Sequence, residues 1–192
     1  MITTAEIIKI KKPDLGAPII KEMANRFSPR YYSSEKVSEK DLQSMFETVR
    51  WAPSARNRQP WYFYWTRKGS SSWKKLISCI PEKHHWSKTA SVFILSCYMD
   101  KTEFGANKYA LYDLGTAVYS LVLQAHALGY YCRQVGNFDR EKAKQMLKIP
   151  KEQKPFIIVT VGKIGDYKKA PESVLVLDTQ KRERKTDIAK EI

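Results

Sequence analysis

The stretch Trp51-Ala-Pro-Ser-Ala-Arg-Asn-Arg-Gln-Pro-Trp61 constrains the fold more than any other part of the chain. Pro53 and Pro60 fix φ near its two ends and cannot donate backbone hydrogen bonds, so neither a helix nor a central strand can run through it. It must be a shaped turn between two regular elements. Before it, Ser38-Glu-Lys-Asp41 fits a capping-box-like helix start, and Leu42, Met45, Phe46 and Val49 recur at helical spacing. After it, the aromatic run from Trp61 to about Thr66 reads as a strand. Ser54, Asn57 and Gln59 give the turn donors and acceptors suited to a polar heteroaromatic ligand.

Elsewhere the pattern alternates irregularly between helix and strand. Lys9, Lys11 and Lys12, followed by Pro13 and Gly16, suggest an extended arm or loosely packed start, and Pro18 suits the first turn of a short helix running toward Arg26. Gly69-Ser-Ser-Ser72 reads as a loop and helix start. Ala90–Tyr98 reads as a buried strand because Val92-Phe-Ile-Leu95 is continuously apolar. The longest helix is expected from Tyr109 to Leu128, with Leu111, Leu114, Gly115, Val118, Leu121, Val122 and Ala125 as its apolar stripe and Gly129 as its stop. A short strand at Tyr130–Gln134, a helix capped by Asp139 and ending before Pro150, and a buried strand at Phe156–Gly162 follow. Val174-Leu-Val-Leu177 reads as a short strand or extended arm with a basic end. This succession favours a mixed sheet packed with helices.

The chain has 192 residues, 43% hydrophobic and 12% aromatic, enough for one substantial core and too apolar for a disordered segment. No apolar run is long enough to cross a bilayer, and the first residues lack a signal-peptide pattern, so a cytoplasmic protein is expected. Cys79, Cys97 and Cys132 are widely spaced, which points to buried free thiols rather than a disulfide framework or a zinc site. The net charge of +14 favours an anionic partner, although the lysines are dispersed enough to be largely a solvated surface.

Two arginines flank a hydroxyl in Arg26-Phe-Ser-Pro-Arg30. Guanidinium forks at alternate positions can converge on one phosphate, or can be ordinary surface cations. Taken with the turn at 51–61, they decide the reading. The Trp-Ala-Pro-Ser-x-x-Asn-x-Gln-Pro-Trp turn resembles the signature loop of the FMN-dependent nitroreductases, and Arg26, Ser28 and Arg30 resemble that family's phosphate-holding element. Asp113-Leu-Gly-Thr-Ala117 resembles the start of its long helix, and Gly136-Asn137 stands where its Gly-x-Phe-Asp-like turn offers backbone N–H to the flavin. A departure is Phe27, where a basic or polar residue is usual; another is Asn137, in place of the more usual glycine.

The resemblance implies an α+β fold: a single domain at about residues 21–170, an N-terminal arm at 1–20, a C-terminal arm at 171–192, and an intertwined homodimer. It implies FMN held by Arg26, Ser28, Arg30, Gly136 and Asn137 of one subunit and by Pro53, Ser54, Ala55, Asn57 and Gln59 of the other. A basic residue of the tail would return to the phosphate, with Arg184 the choice and Lys181 and Arg182 its rivals. NAD(P)H would be co-substrate, and a small electron acceptor would take its place in the same pocket. Arg56 and Arg58, at variable positions, are expected to attract an anionic group of the substrate. The short 100–108 region leaves little material for a lid, so an open pocket is expected. No side chain stands out as a general acid or base. His84-His85-Trp86 lacks other ligands at metal spacing, so no metal is expected. Neither a membrane nor nucleic acid is expected as a partner. A flavin binder without turnover, and a single-strand nucleic-acid platform built on the Trp61–Trp65 aromatics, remain the rival readings.

Overall fold

The computed structural model describes residues 1–103 and 105–191, the His85 side chain excepted. In chain order its elements are α1 (Thr4–Ile10), α2 (Lys21–Asn25), α3 (Glu39–Arg50), β1 (Trp61–Arg67), α4 (Ser71–Ser78), β2 (Val92–Tyr98), β3 (Lys101–Thr102), β4 (Gly105–Ala106), α5 (Ala110–Ala127), β5 (Tyr131–Val135), α6 (Arg140–Leu147), β6 (Lys154–Gly162) and α7 (Glu172–Asp178). Short 3-10 turns occupy Ala55–Asn57, Glu82–Thr89 and Tyr167–Lys169.

The apolar run Val92–Leu95 is wholly buried because β2 lies inside a four-stranded sheet of order β1-β2-β6-β5. Side chains alternate across the sheet. Val92, Ile94, Val159 and Val161 face one way and pack with Leu42, Met45 and Val49 of α3 and Leu114, Val118 and Leu121 of α5. Phe93, Leu95 and Ile158 face the other way, toward Leu76 of α4 and Ala143 of α6. The result is the expected α+β domain, a sheet flanked by helices on both faces. Every pairing among the described strands is antiparallel, where a mixed sheet was expected.

Local signals set most boundaries. The Ser38 hydroxyl accepts from the Asp41 amide, the Ser70 hydroxyl from the Trp73 amide and the Asp139 carboxylate from the Lys142 amide, each starting a helix where the sequence placed one. The long helix runs close to its expected bounds, but Leu111 and Gly115 lie on its exposed side, so the buried stripe is narrower than the pattern suggested. The three cysteines are buried and free.

Both ends of the chain differ from expectation. Residues 4–10 form α1 rather than an extended arm, because Thr3 and Glu6 close a reciprocal capping box and Ile7 is fully buried. Residues 172–178 form α7 rather than a strand: Val174 and Asp178, four residues apart, both face inward. The β-branched Val174 and Val176 favour a strand and the two leucines a helix, and here the tertiary environment settles the balance for the helix. Ile7, Phe27, Tyr167 and Val174 make a small separate core that fastens both ends of the chain to the segment carrying Arg26 and Arg30. Pro18 lies ahead of α2, whose cap is Ile20.

Candidate functional site

A close backbone approach positions the 26–33 segment. Ser33 N–H donates to the Lys163 carbonyl at 2.9 Å, and Gly165 N–H donates to the Tyr31 carbonyl at 3.0 Å. A Cβ on Gly162 would stand 2.9 Å from the Tyr32 ring, so only glycine lets the segment lie this near the end of β6.

Cations from four parts of the chain gather along this segment. The Arg26 guanidinium reaches the Ser28 hydroxyl at 3.4 Å. Arg133 of β5 donates to the Ser28 carbonyl and stacks 5.2 Å over the Trp86 ring. Arg182 donates to the Arg26 carbonyl at 2.7 Å and the Ala24 carbonyl at 2.6 Å. Lys11, just past α1, donates to the Gln180 carbonyl. Asp178 accepts from the Arg30 backbone N–H at 2.7 Å and its guanidinium at 2.6 Å, and from the buried Tyr167 hydroxyl at 2.6 Å.

This crowding perturbs the cations. Burial, together with neighbouring Arg30, lowers the Arg133 pKa, and burial combined with Arg26 and Arg184 lowers that of Arg182. Burial is also the main cause of the lowered value for Lys11, with Arg30, Arg133 and Arg182 adding to it. Buried Nε atoms of Arg26 and Arg182 have no hydrogen-bond partner among the described residues. Desolvated, mutually repelling guanidiniums with spare donors are chemically suited to an oxyanion.

The 53–59 turn sits instead at the other end of α5. Ala55 N–H donates to Asp113 in the first helical turn at 3.2 Å, and the Thr116 hydroxyl donates to the Pro53 carbonyl at 3.1 Å. Arg56, Asn57 and Gln59 all have positive φ, at 55°, 55° and 46°. Non-glycine residues pay about 1–2 kcal/mol each for this conformation, so the loop must be held in place. Ser54 Oγ accepts from Gln59 N–H at 3.0 Å, and the Gln59 side-chain amide donates to Asn57 Oδ1 at 3.1 Å. Three of the polar groups expected to face a ligand are therefore partly spent on the loop itself. Such strain is concentrated in one exposed loop and persists because the surrounding contacts over-determine it.

The family model for nitroreductases matches residues 23–78 and 80–163. The chain belongs to the nitroreductase family. A solved structure described as an oxidoreductase containing FMN is 28% identical, with a TM-score of 0.85, and 93% of each chain is covered. A candidate nitroreductase from Desulfovibrio desulfuricans, solved in complex with FMN, has the same fold at 22% identity, with a TM-score of 0.75 over 93% of this chain and 99% of that one. A candidate NADH dehydrogenase/NAD(P)H nitroreductase from Archaeoglobus fulgidus is 26% identical over 78% of this chain and 87% of its own.

Within this family member, the residues singled out from sequence fall into separate groups. Arg26, Ser28 and Arg30 are together in the cationic cradle. Pro53, Ser54, Ala55, Asn57 and Gln59, with Arg56 and Arg58, are together in the strained loop. Gly136 and Asn137 are exposed at the end of β5, three and four residues beyond Arg133, and the Asn137 backbone is not left-handed. Arg184 is exposed and donates to the neighbouring Glu183 carbonyl, while its rival Arg182 enters the cradle. His84 packs edge-on against Trp86 beside the cradle. Among the described residues no cluster could hold a metal ion, and no helix is long and apolar enough to cross a membrane.

Lys11, Arg133, Asp178 and Tyr167 were missed. The spare positive charge of the chain was the one hint of Lys11 and Arg133, and no local motif marked Asp178 or Tyr167, which lie more than 130 residues from the 26–30 segment.

Proposed function

We propose that the protein is an FMN-dependent oxidoreductase that takes hydride from NAD(P)H and reduces a small acceptor, such as a nitroaromatic or a quinone, in a homodimer. The observation that carries the reading is the cradle of Arg26, Ser28, Arg30, Arg133 and Arg182, whose spare buried guanidinium donors fit the phosphate of a mononucleotide. FMN is named for two of the similar structures, and NADH or NAD(P)H for the Archaeoglobus fulgidus relative. Bound FMN would supply two-electron chemistry, accepting hydride from the nicotinamide and passing it to an acceptor in the same pocket, which makes the kinetics ping-pong.

The chain's own groups bind and orient. Arg26, Arg30 and Arg182 would hold the phosphate, and Arg133, fixed against Trp86, would extend the positive field toward β5. The strained loop keeps its backbone shape without a ligand, so little ordering is required when a flat ring packs against it.

The two halves of the site lie toward opposite ends of α5. Asp113 anchors the loop; His126, thirteen residues later, packs edge-on against Tyr131, which in turn meets Phe27 of the cradle segment. At 1.5 Å per residue this separation is about 20 Å along the helix. Two chains packed antiparallel along α5 would bring the loop of one to the cradle of the other. Exposed Trp51, Leu111, Tyr112 and Tyr119 supply an apolar surface along that face.

The test is spectroscopic. Purified protein, incubated with FMN and desalted, is expected to be yellow, to bleach anaerobically with NADH or NADPH, and to recover colour on addition of a nitroaromatic or a quinone. A yellow protein that neither nucleotide bleaches would overturn turnover, and a colourless one would overturn flavin binding.

A further inference from the structure

A cavity of about 410 Å³ opens beside the strained loop, lined by Ala55, Arg56, Arg58, Ala106, Lys108 and Tyr109. Three of the six residues are cations, one is aromatic and none is acidic. One wall is the 54–59 turn, and the other is the β3–β4 hairpin with the residues that follow it.

The walls are fastened to each other and to the fold. Arg58 donates to the Ala106 carbonyl at 3.2 Å, tying the loop to the hairpin. Asn107, only 3% exposed, donates through its backbone N–H to the Asp100 carbonyl at 2.8 Å, and its side-chain oxygen accepts from Tyr109 N–H at 3.1 Å. Lys108 is thereby set where its ammonium lies 5.4 Å from the Tyr109 ring centroid. The left-handed backbone at Arg56 is held by the Ser54 and Asn57 contacts of its own loop. The 100–108 region is short, as the sequence showed, yet it builds a charged wall rather than leaving the pocket bare.

We propose that this cavity selects substrates that carry an anionic group beside an aromatic ring, with Arg56, Arg58 and Lys108 receiving the carboxylate or phosphate and Tyr109 offering its ring face. The proposal rests on the flavin reading above, because the loop that forms one wall is also the candidate flavin-facing loop. The anion has two possible sources: an acid group of the electron acceptor, or the extra phosphate that distinguishes NADPH from NADH. Either gains from three cations lining one recess partly shielded from water, and either loses that gain as salt screens it.

The experiment compares 4-nitrobenzoate with 4-nitrobenzamide as acceptor, and NADPH with NADH as donor, in the parent and in the Arg56→Gln/Lys108→Gln variant. For the parent, kcat/KM is expected to favour the more anionic member of at least one pair by about tenfold at low salt, with the ratio falling toward one in the variant and at high salt. Loss of the acceptor ratio assigns the cavity to the acceptor, and loss of the NADPH ratio assigns it to the nucleotide.

Binding of non-reducible benzoate and benzamide, measured by calorimetry with and without FMN, gives a readout independent of turnover. If the double variant melts early, Lys108→Gln alone repeats the test. A yellow, active protein whose ratios are the same in parent and variant, with benzoate bound no better than benzamide, overturns this proposal and leaves the flavin reading standing. A protein that takes up no FMN yet prefers benzoate overturns the flavin reading and keeps the anionic cavity.

Discussion

Asp178→Asn is the sharpest perturbation the structure offers, because one carboxylate joins the end of the chain to the cradle. Its side chain is 1% exposed and accepts from Arg30 twice and from Tyr167 once. Breaking a buried pair by removing one charge costs about 3–5 kcal/mol. Two features reduce that here. The Arg30 side chain is 19% exposed, so water can partly replace its partner, and asparagine retains one acceptor oxygen. The expected loss is therefore about 2–3 kcal/mol, which at about 2–4 °C per kcal/mol for a chain of this size lowers Tm by roughly 4–12 °C. Tyr167→Phe removes one hydrogen bond to the same carboxylate and should cost about 1.5–3 kcal/mol. The double variant should lose less than the two singles summed, since both act on one group. Thermal melts of flavin-free protein followed by circular dichroism measure all three. A Tm within about 1 °C of the parent for Asp178→Asn would refute the view that this carboxylate holds the C-terminal helix to the cradle.

A second cradle residue and a helix start give two further outcomes. Arg182→Gln should weaken FMN binding by about tenfold or more, the range for hydrogen bonds to charged groups, whereas Arg184→Gln should change it less than about twofold; flavin fluorescence titration separates the two, and equal losses would remove Arg182 from the cradle. The hydroxyls of Ser38 and Tyr130 hold the Asp41 carboxyl below its ordinary value of 3.8, so its contribution to stability is present above that value and is lost as pH falls through the lowered folded value. The Tm gap between the parent and Tyr130→Phe should accordingly narrow below about pH 4, and a gap constant from pH 6 to pH 2 would show that Asp41 is not involved.

Much of the site was legible because its first parts are local. The 51–61 turn declares itself through two prolines and its polar groups, and Arg26-x-Ser28-x-Arg30 through spacing. Helix starts at Ser38, Ser70 and Asp139 were readable for the same reason, since a capping side chain serves an amide two or three residues away. What failed to read at this level was the conformation inside the turn. Asn57 tolerates a left-handed backbone, but nothing about Arg56 and Gln59 announces one; there it is imposed by Ser54, Asp113 and Thr116 together.

The sequence by itself determined the α+β class, the buried strands, the long helix and the family, because these rest on periodicity and on short motifs. Tertiary contacts, added at the N-terminus to the local Thr3–Glu6 capping box, decided the fate of the chain ends. α1 and α7 form because Ile7, Val174 and Asp178 find burial against Phe27, Tyr167 and Arg30, far away in sequence. Tertiary contacts also decided that Arg182 rather than Arg184 enters the cradle, and that Lys108 joins Arg56 and Arg58 around one cavity. Charges separated by dozens of residues carry no mutual pattern along the chain, and only the folded backbone makes them neighbours.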